Sequence, residues 1–95
     1  MAQGPGYWMH ETSGVLRPAV VAFLEGAELT PEHIAMLRAY CRQWIGADVW
    51  DQNPHMGETE RAWLAAMRAD VDKLTTRAAI SHWLCRATEQ GLDPL

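Results

Sequence analysis

Residues 30–45, TPEHIAMLRAYCRQWI, decide how the rest of the chain is read. Thr30 can accept a hydrogen bond from an orphan amide of a helix start, Pro31 is pre-set at the first helical position, and Glu32 meets the positive end of the dipole. At 100° per residue Ile34, Leu37, Cys41, Trp44 and Ile45 fall on one face, and His33, Met36 and Tyr40 widen it along one flank. A face that broad predicts a buried helix with more than one neighbour. Arg38 and Arg42 lie on its other edge, where their stems can cover apolar surface while the guanidinium groups stay wet. Gly46 is expected to end the helix.

Upstream, Leu16, Ala19, Val20 and Phe23 share one face, and Arg17 and Glu25 point away from it. Pro18 is tolerable only in a first turn, so this helix should start near residues 14–17 and close at Gly26. The short link to Thr30 favours a helical hairpin. Residues 1–12 contain Gly4-Pro5-Gly6 and then Tyr7, Trp8 and Met9, which reads as a tail with an aromatic anchor that either folds back over the core or meets a partner.

Downstream of Gly46, residues 46–57 form the main loop, longer than the usual connection between helices. Glu58 and Glu60 open a third helix with Trp63, Leu64, Met67, Val71 and Leu74 inward, and with Arg68 and Asp72 as an outward i, i+4 pair. Thr75 or Thr76 caps a fourth helix, whose inner face is Ile80, Trp83, Leu84 and Ala87 and whose stop is Gly91. The expected fold is therefore all-α, a single compact four-helix domain over residues 1–95, built from two helical hairpins joined by a longer loop.

Composition narrows function mainly by exclusion. Apolar residues make up 48% of the 95 residues and charged residues 21%, as in globular domains, and no apolar run approaches the length of a bilayer span. The opening MAQGPGYWMHET lacks the basic start and apolar run of a signal peptide, so a cytoplasmic protein without a membrane segment is expected. The two cysteines lack CxxC spacing and read as reduced thiols. A net charge of −4 gives no support for a general phosphate-binding surface. Seven of the eight basic residues are Arg and five of the eight aromatics are Trp, the types enriched at protein-interface hot spots.

No phosphate-binding glycine loop, zinc-protease motif or paired carboxylates occur, and Cys41 falls at a buried position, so neither an enzyme nor a cofactor is expected. On the fourth helix His82, Cys85 and Glu89 share an outer stripe that carries a metal- or ligand-binding alternative, but a second pair of metal ligands is missing. Residues 76–84, TRAAISHWL, resemble the recognition helix of Cro-type helix-turn-helix repressors. That resemblance implies DNA reading by Arg77, Ala78, Ser81 and His82. The preceding DKLT carries no glycine, unlike the usual turn. The favoured expectation is a non-catalytic protein-protein interaction module, a small adaptor or inhibitor of the kind phages and mobile elements encode, that binds a larger protein. Trp50 lies outside every apolar stripe, so either the main loop folds back and Trp50 lids the core, or Trp50 stands exposed with His55, flanked by Arg38 and Arg42 as the partner surface.

Overall fold

A computed structural model of the protein describes residues 14–95; the tail reading of Tyr7, Trp8 and Met9 lies outside them. The described residues form four α-helices, α1 (Leu16–Leu24), α2 (Pro31–Ile45), α3 (Glu58–Asp70) and α4 (Arg77–Thr88), with 3-10 turns at Asp48–Trp50 and Val71–Lys73 and no strand. None of these helices is long and apolar enough to cross a membrane.

Thr30 caps α2 as its chemistry requires: its hydroxyl accepts from the His33 amide at 3.0 Å. His33 answers through Nδ1, which accepts from the Thr30 amide at 3.5 Å, so a histidine fills the place usually taken by glutamate in a capping box. Leu37, Tyr40, Cys41, Trp44 and Ile45 are buried, and α2 packs against α1, α3 and α4. The broad apolar face thus has several neighbours. Gly46 ends α2 from the right-handed region, at φ −85°, without using glycine's conformational freedom.

Pro18 sits in the first turn of α1, where its missing N–H costs nothing. Leu16, Ala19 and Val20 point into the core. Gly26, at φ +75°, then reverses the chain: its amide donates to the Phe23 carbonyl and the Ala27 amide to that of Ala22. This is the Schellman arrangement, and it satisfies carbonyls that the helix end leaves open. Gly91, at φ +78°, closes α4 the same way, with the Leu92 amide on the Ala87 carbonyl. The last residues then return to the core, where the Tyr40 phenol donates to the carbonyl of buried Pro94.

Two expectations about the third segment need correction. The inward stripe does run to Leu74, but the α-helix stops at Asp70 and the chain tightens into the 3-10 turn, so Val71 and Leu74 reach the core from a connector. Nor do Arg68 and Asp72 pair with each other. Arg68 instead clasps the end of α2: Nε donates to the Ile45 carbonyl at 2.8 Å, and the guanidinium holds Asp51 at 3.0 Å. Asp72 is taken by Arg42, whose Nε lies 2.8 Å from it. Asp72 finds an Arg from a different element because the i, i+4 geometry it would need with Arg68 ends with the helix.

The exposed reading of Trp50 is also corrected, and the core-lid reading holds. Trp50 is only 8% exposed, and the 3-10 turn at Asp48–Trp50 carries it back over α2. Its indole N–H donates to the Trp44 carbonyl at 2.8 Å, and its ring meets the Trp44 ring edge-on at 5.0 Å between centroids. Trp44 in turn meets Trp83 edge-on at 6.1 Å, and Trp63 flanks Trp50 at 5.9 Å. Four indoles from α2, the main loop, α3 and α4 therefore form one continuous cluster.

Candidate functional site

The connection between α3 and α4 builds a concave surface. The end of α3 at Asp70 and the following 3-10 turn place Asp70 and Lys73 on one lip. Thr76 starts α4, its hydroxyl accepting from the Ala79 amide at 3.1 Å, and the helical spacing then sets Ala79, His82 and Arg86 along the opposite lip. Leu74 and Trp83 form the floor, and the hollow holds about 150 Å³. A cavity of that size elsewhere admits a benzene-sized group. Room for one ring or one branched aliphatic side chain is what the hollow offers.

Its electrostatics differ from those of the chain as a whole. Lys73 and Arg86 face a single carboxylate, in a molecule whose net charge is −4. Arg86 donates to Asp70 at 2.7 Å, and Lys73 approaches the same carboxylate loosely at 3.4 Å. The hydrogen bond from Arg86 holds the Asp70 carboxyl below the usual carboxylate range, with Lys73 adding to the effect and desolvation opposing it. Asp51 is lowered likewise, first by its hydrogen bond from Arg68. The lip therefore stays ionised, with cationic donors in excess. Lys73 is the most accessible of them, its side chain 77% exposed.

The residues expected to form a partner surface around Trp50 are not brought together. Trp50 lies inside. His55 stays exposed in the main loop, its amide donating to the Asn53 side chain at 2.9 Å. Arg38 and Arg42 turn instead toward the α3–α4 connection, Arg38 donating to the Leu74 carbonyl at 3.0 Å and Arg42 pairing with Asp72. They hold the turn that shapes the hollow. The Arg42–Asp72 pair is exposed on both sides and adds little to stability.

Of the residues named by the helix-turn-helix resemblance, Ser81 and His82 are exposed on α4. Arg77 is not available in the same way. Its guanidinium lies 5.1 Å from the Phe23 ring centroid and donates to the carbonyls of Phe23 (3.0 Å), Ala22 (3.4 Å) and Ala27, closing the end of α1. Arg77→Ala should destabilise the fold by about 1–2 kcal/mol, since it removes charge-assisted bonds to several half-buried carbonyls. Chemical denaturation would measure this, and a loss within error of zero would show that Arg77 does not hold α1.

Other chemistries find little footing. Among the described residues no group of three or more His, Cys, Asp or Glu side chains is placed to hold a metal ion, so His82, Cys85 and Glu89 form no ligand set. Burial pushes the Cys41 thiol up to about 12, which leaves no thiolate there at neutral pH. Cys85 is exposed and free. Sequence reasoning missed the Asp70–Arg86 pair because it joins two elements 16 residues apart, although the i, i+3 spacing of Asp70 and Lys73 was a local signal. No protein-family model, curated protein or solved structure matches the chain.

Proposed function

We propose that the chain is a non-catalytic protein-binding module, a small adaptor or inhibitor, and that the hollow between the α3–α4 turn and α4 receives a segment of its partner. The observation that supports this reading is the cationic excess around an apolar floor in an acidic chain. Such a site fits an apolar side chain followed or preceded by a carboxylate. Arg86 and Lys73 would steer and pair the carboxylate, and the apolar group would displace water from Leu74, Ala79 and Trp83.

The test uses a substitution that the helix tolerates. Ala79 occupies the third position of α4, where a glutamate would complete a capping box with Thr76, so Ala79→Glu should leave the fold intact. It also sets a carboxylate on the lip, in competition with a partner's. Affinity capture from the native host with the wild-type chain should retain a protein, and Ala79→Glu should weaken that retention about tenfold or more. Retention of duplex DNA in place of protein, weakening steeply with salt, would favour the reading by α4 instead. Protein capture that Ala79→Glu leaves unchanged would remove the hollow as the site.

A further inference from the structure

The Asp70 carboxylate holds two cations at once. Arg86 donates from Nη1 to Oδ2 at 2.7 Å and Lys73 lies 3.4 Å from Oδ1, so these groups on the rim of the hollow sum to a single positive charge. Neither cation is used up. Among the described residues Nε and Nη2 of Arg86 make no hydrogen bond, and Lys73 is exposed with that one long contact. Asp70 keeps acceptor capacity too, because a carboxylate offers about four lone-pair sites and these two bonds leave the rest open. Spare N–H donors of net positive charge and a spare carboxylate acceptor therefore border the apolar floor of Leu74, Ala79 and Trp83.

A ligand that meets all three features in about 150 Å³ must carry an anion, an N–H and an apolar group on one small unit. An acidic side chain inside an extended segment does not supply this. Neighbouring side chains there point to opposite sides, and the next one on the same side lies about 7 Å along, beyond a hollow that admits one ring. A helical segment brings acid and apolar side chains together, but its main-chain N–H groups are spent within the helix and leave nothing for Asp70. The last residue of a chain has the terminal carboxylate, the amide N–H and the side chain on one Cα.

We infer that the hollow takes the C-terminal residue of a partner protein, with its α-carboxylate on Arg86 and Lys73, its amide N–H on Asp70 and an apolar side chain on the floor. The inference rests on the hollow being the binding site proposed above, and it narrows the partner to one whose chain ends in a residue such as leucine, isoleucine or phenylalanine. Charge-assisted bonds from a guanidinium and an ammonium to one carboxylate are the strong contacts of such a site. Asp70 sets its affinity, because it orients both cations and also offsets part of their charge.

N-acetyl-L-leucine reproduces a terminal residue with its amide N–H. Titrated to about 30 mM into the isotope-labelled full chain, a range suited to the weak binding of so few atoms, it should shift the Ala79 amide and the Trp83 indole N–H saturably in heteronuclear NMR spectra. N-acetyl-leucinamide, which lacks the charge, and N-acetylglycine, which lacks the side chain, should each bind several times more weakly. Free leucine should do the same, because its ammonium group has to compete with the cations already on Asp70. Lys73→Gln, at an exposed position, should weaken binding of the acid severalfold and leave that of the amide unchanged, a split that loss of folding cannot produce. Asp70→Asn removes the offsetting charge, keeps an acceptor oxygen and should tighten binding of the acid severalfold. No saturable shift, equal binding of acid and amide, or tighter binding of free leucine would each overturn the inference. Protein capture that is sensitive to Ala79→Glu, beside a chain that ignores the acid, would overturn it while leaving the hollow as the binding site. Acid-selective binding beside capture indifferent to Ala79→Glu would remove the reading on which it rests, and the inference with it.

Discussion

Trp44→Ala should lower the free energy of unfolding by about 3–5 kcal/mol, the range found for removing a large aromatic from a core. Trp44 is 1% exposed and lies at the centre of the indole cluster, with Trp50 and Trp83 edge-on to it from the main loop and from α4. Its removal would open a void that two elements border, and it would forfeit both edge-to-face contacts, each worth about 0.5–1.5 kcal/mol beyond the area buried. Small domains hold roughly 5–15 kcal/mol in total, so a chain at the lower end of that range would be left marginally stable, with about 0–2 kcal/mol, after this one change. Urea denaturation followed by far-ultraviolet circular dichroism measures the loss. Trp44→Phe should cost clearly less, because a ring remains to meet the neighbouring indoles. A loss under about 1 kcal/mol for Trp44→Ala would contradict the placement of this ring.

Trp50→Ala should produce a large fall in melting temperature, corresponding to about 3 kcal/mol. Two losses combine. The ring leaves its position between Trp44 and Trp63, and the Trp44 carbonyl, near the end of α2 where intrahelical partners run out, loses the indole N–H that satisfies it. Trp50→Phe separates the two losses: packing is largely kept, and the missing hydrogen bond alone should cost about 1 kcal/mol. An exposed tryptophan used for binding would behave in the opposite way, with affinity lost and melting temperature nearly unchanged. Thermal unfolding of the two variants, read beside partner capture by the protein that stays folded, distinguishes these outcomes.

These two tryptophans mark where local reading of the chain succeeds and where it stops. Trp44 lies on a stripe of period 3.6 within a helix that has its own cap, so its burial follows from neighbours three and four residues away. The same local rules place Thr30 and Thr76 at helix starts, Pro18 in a first turn, and Gly26 and Gly91 at reversals, because each depends on a hydrogen bond or a φ value set within a few residues. The all-helical character and the inward faces of all four helices were legible for that reason. Trp50 belongs to no stripe. Its position depends on a 3-10 turn folding it onto α2, which the irregular stretch after Gly46 does not announce.

The candidate site was less legible still. Arg86 pairs with Asp70, Arg42 with Asp72 and Arg68 with Asp51, each across 16 residues or more of sequence. Arg77 reads as a free cation on a recognition helix until α1 is seen to end beneath it. Sequence alone determined the helical segments, apart from where α3 stops, and the sides that face inward, since those are settled by short-range sterics and periodic burial. Only the tertiary structure decided which Arg meets which carboxylate or carbonyl, that Trp50 lies within the core, and where a cationic hollow remains, because these depend on distances between elements that no spacing along the chain encodes.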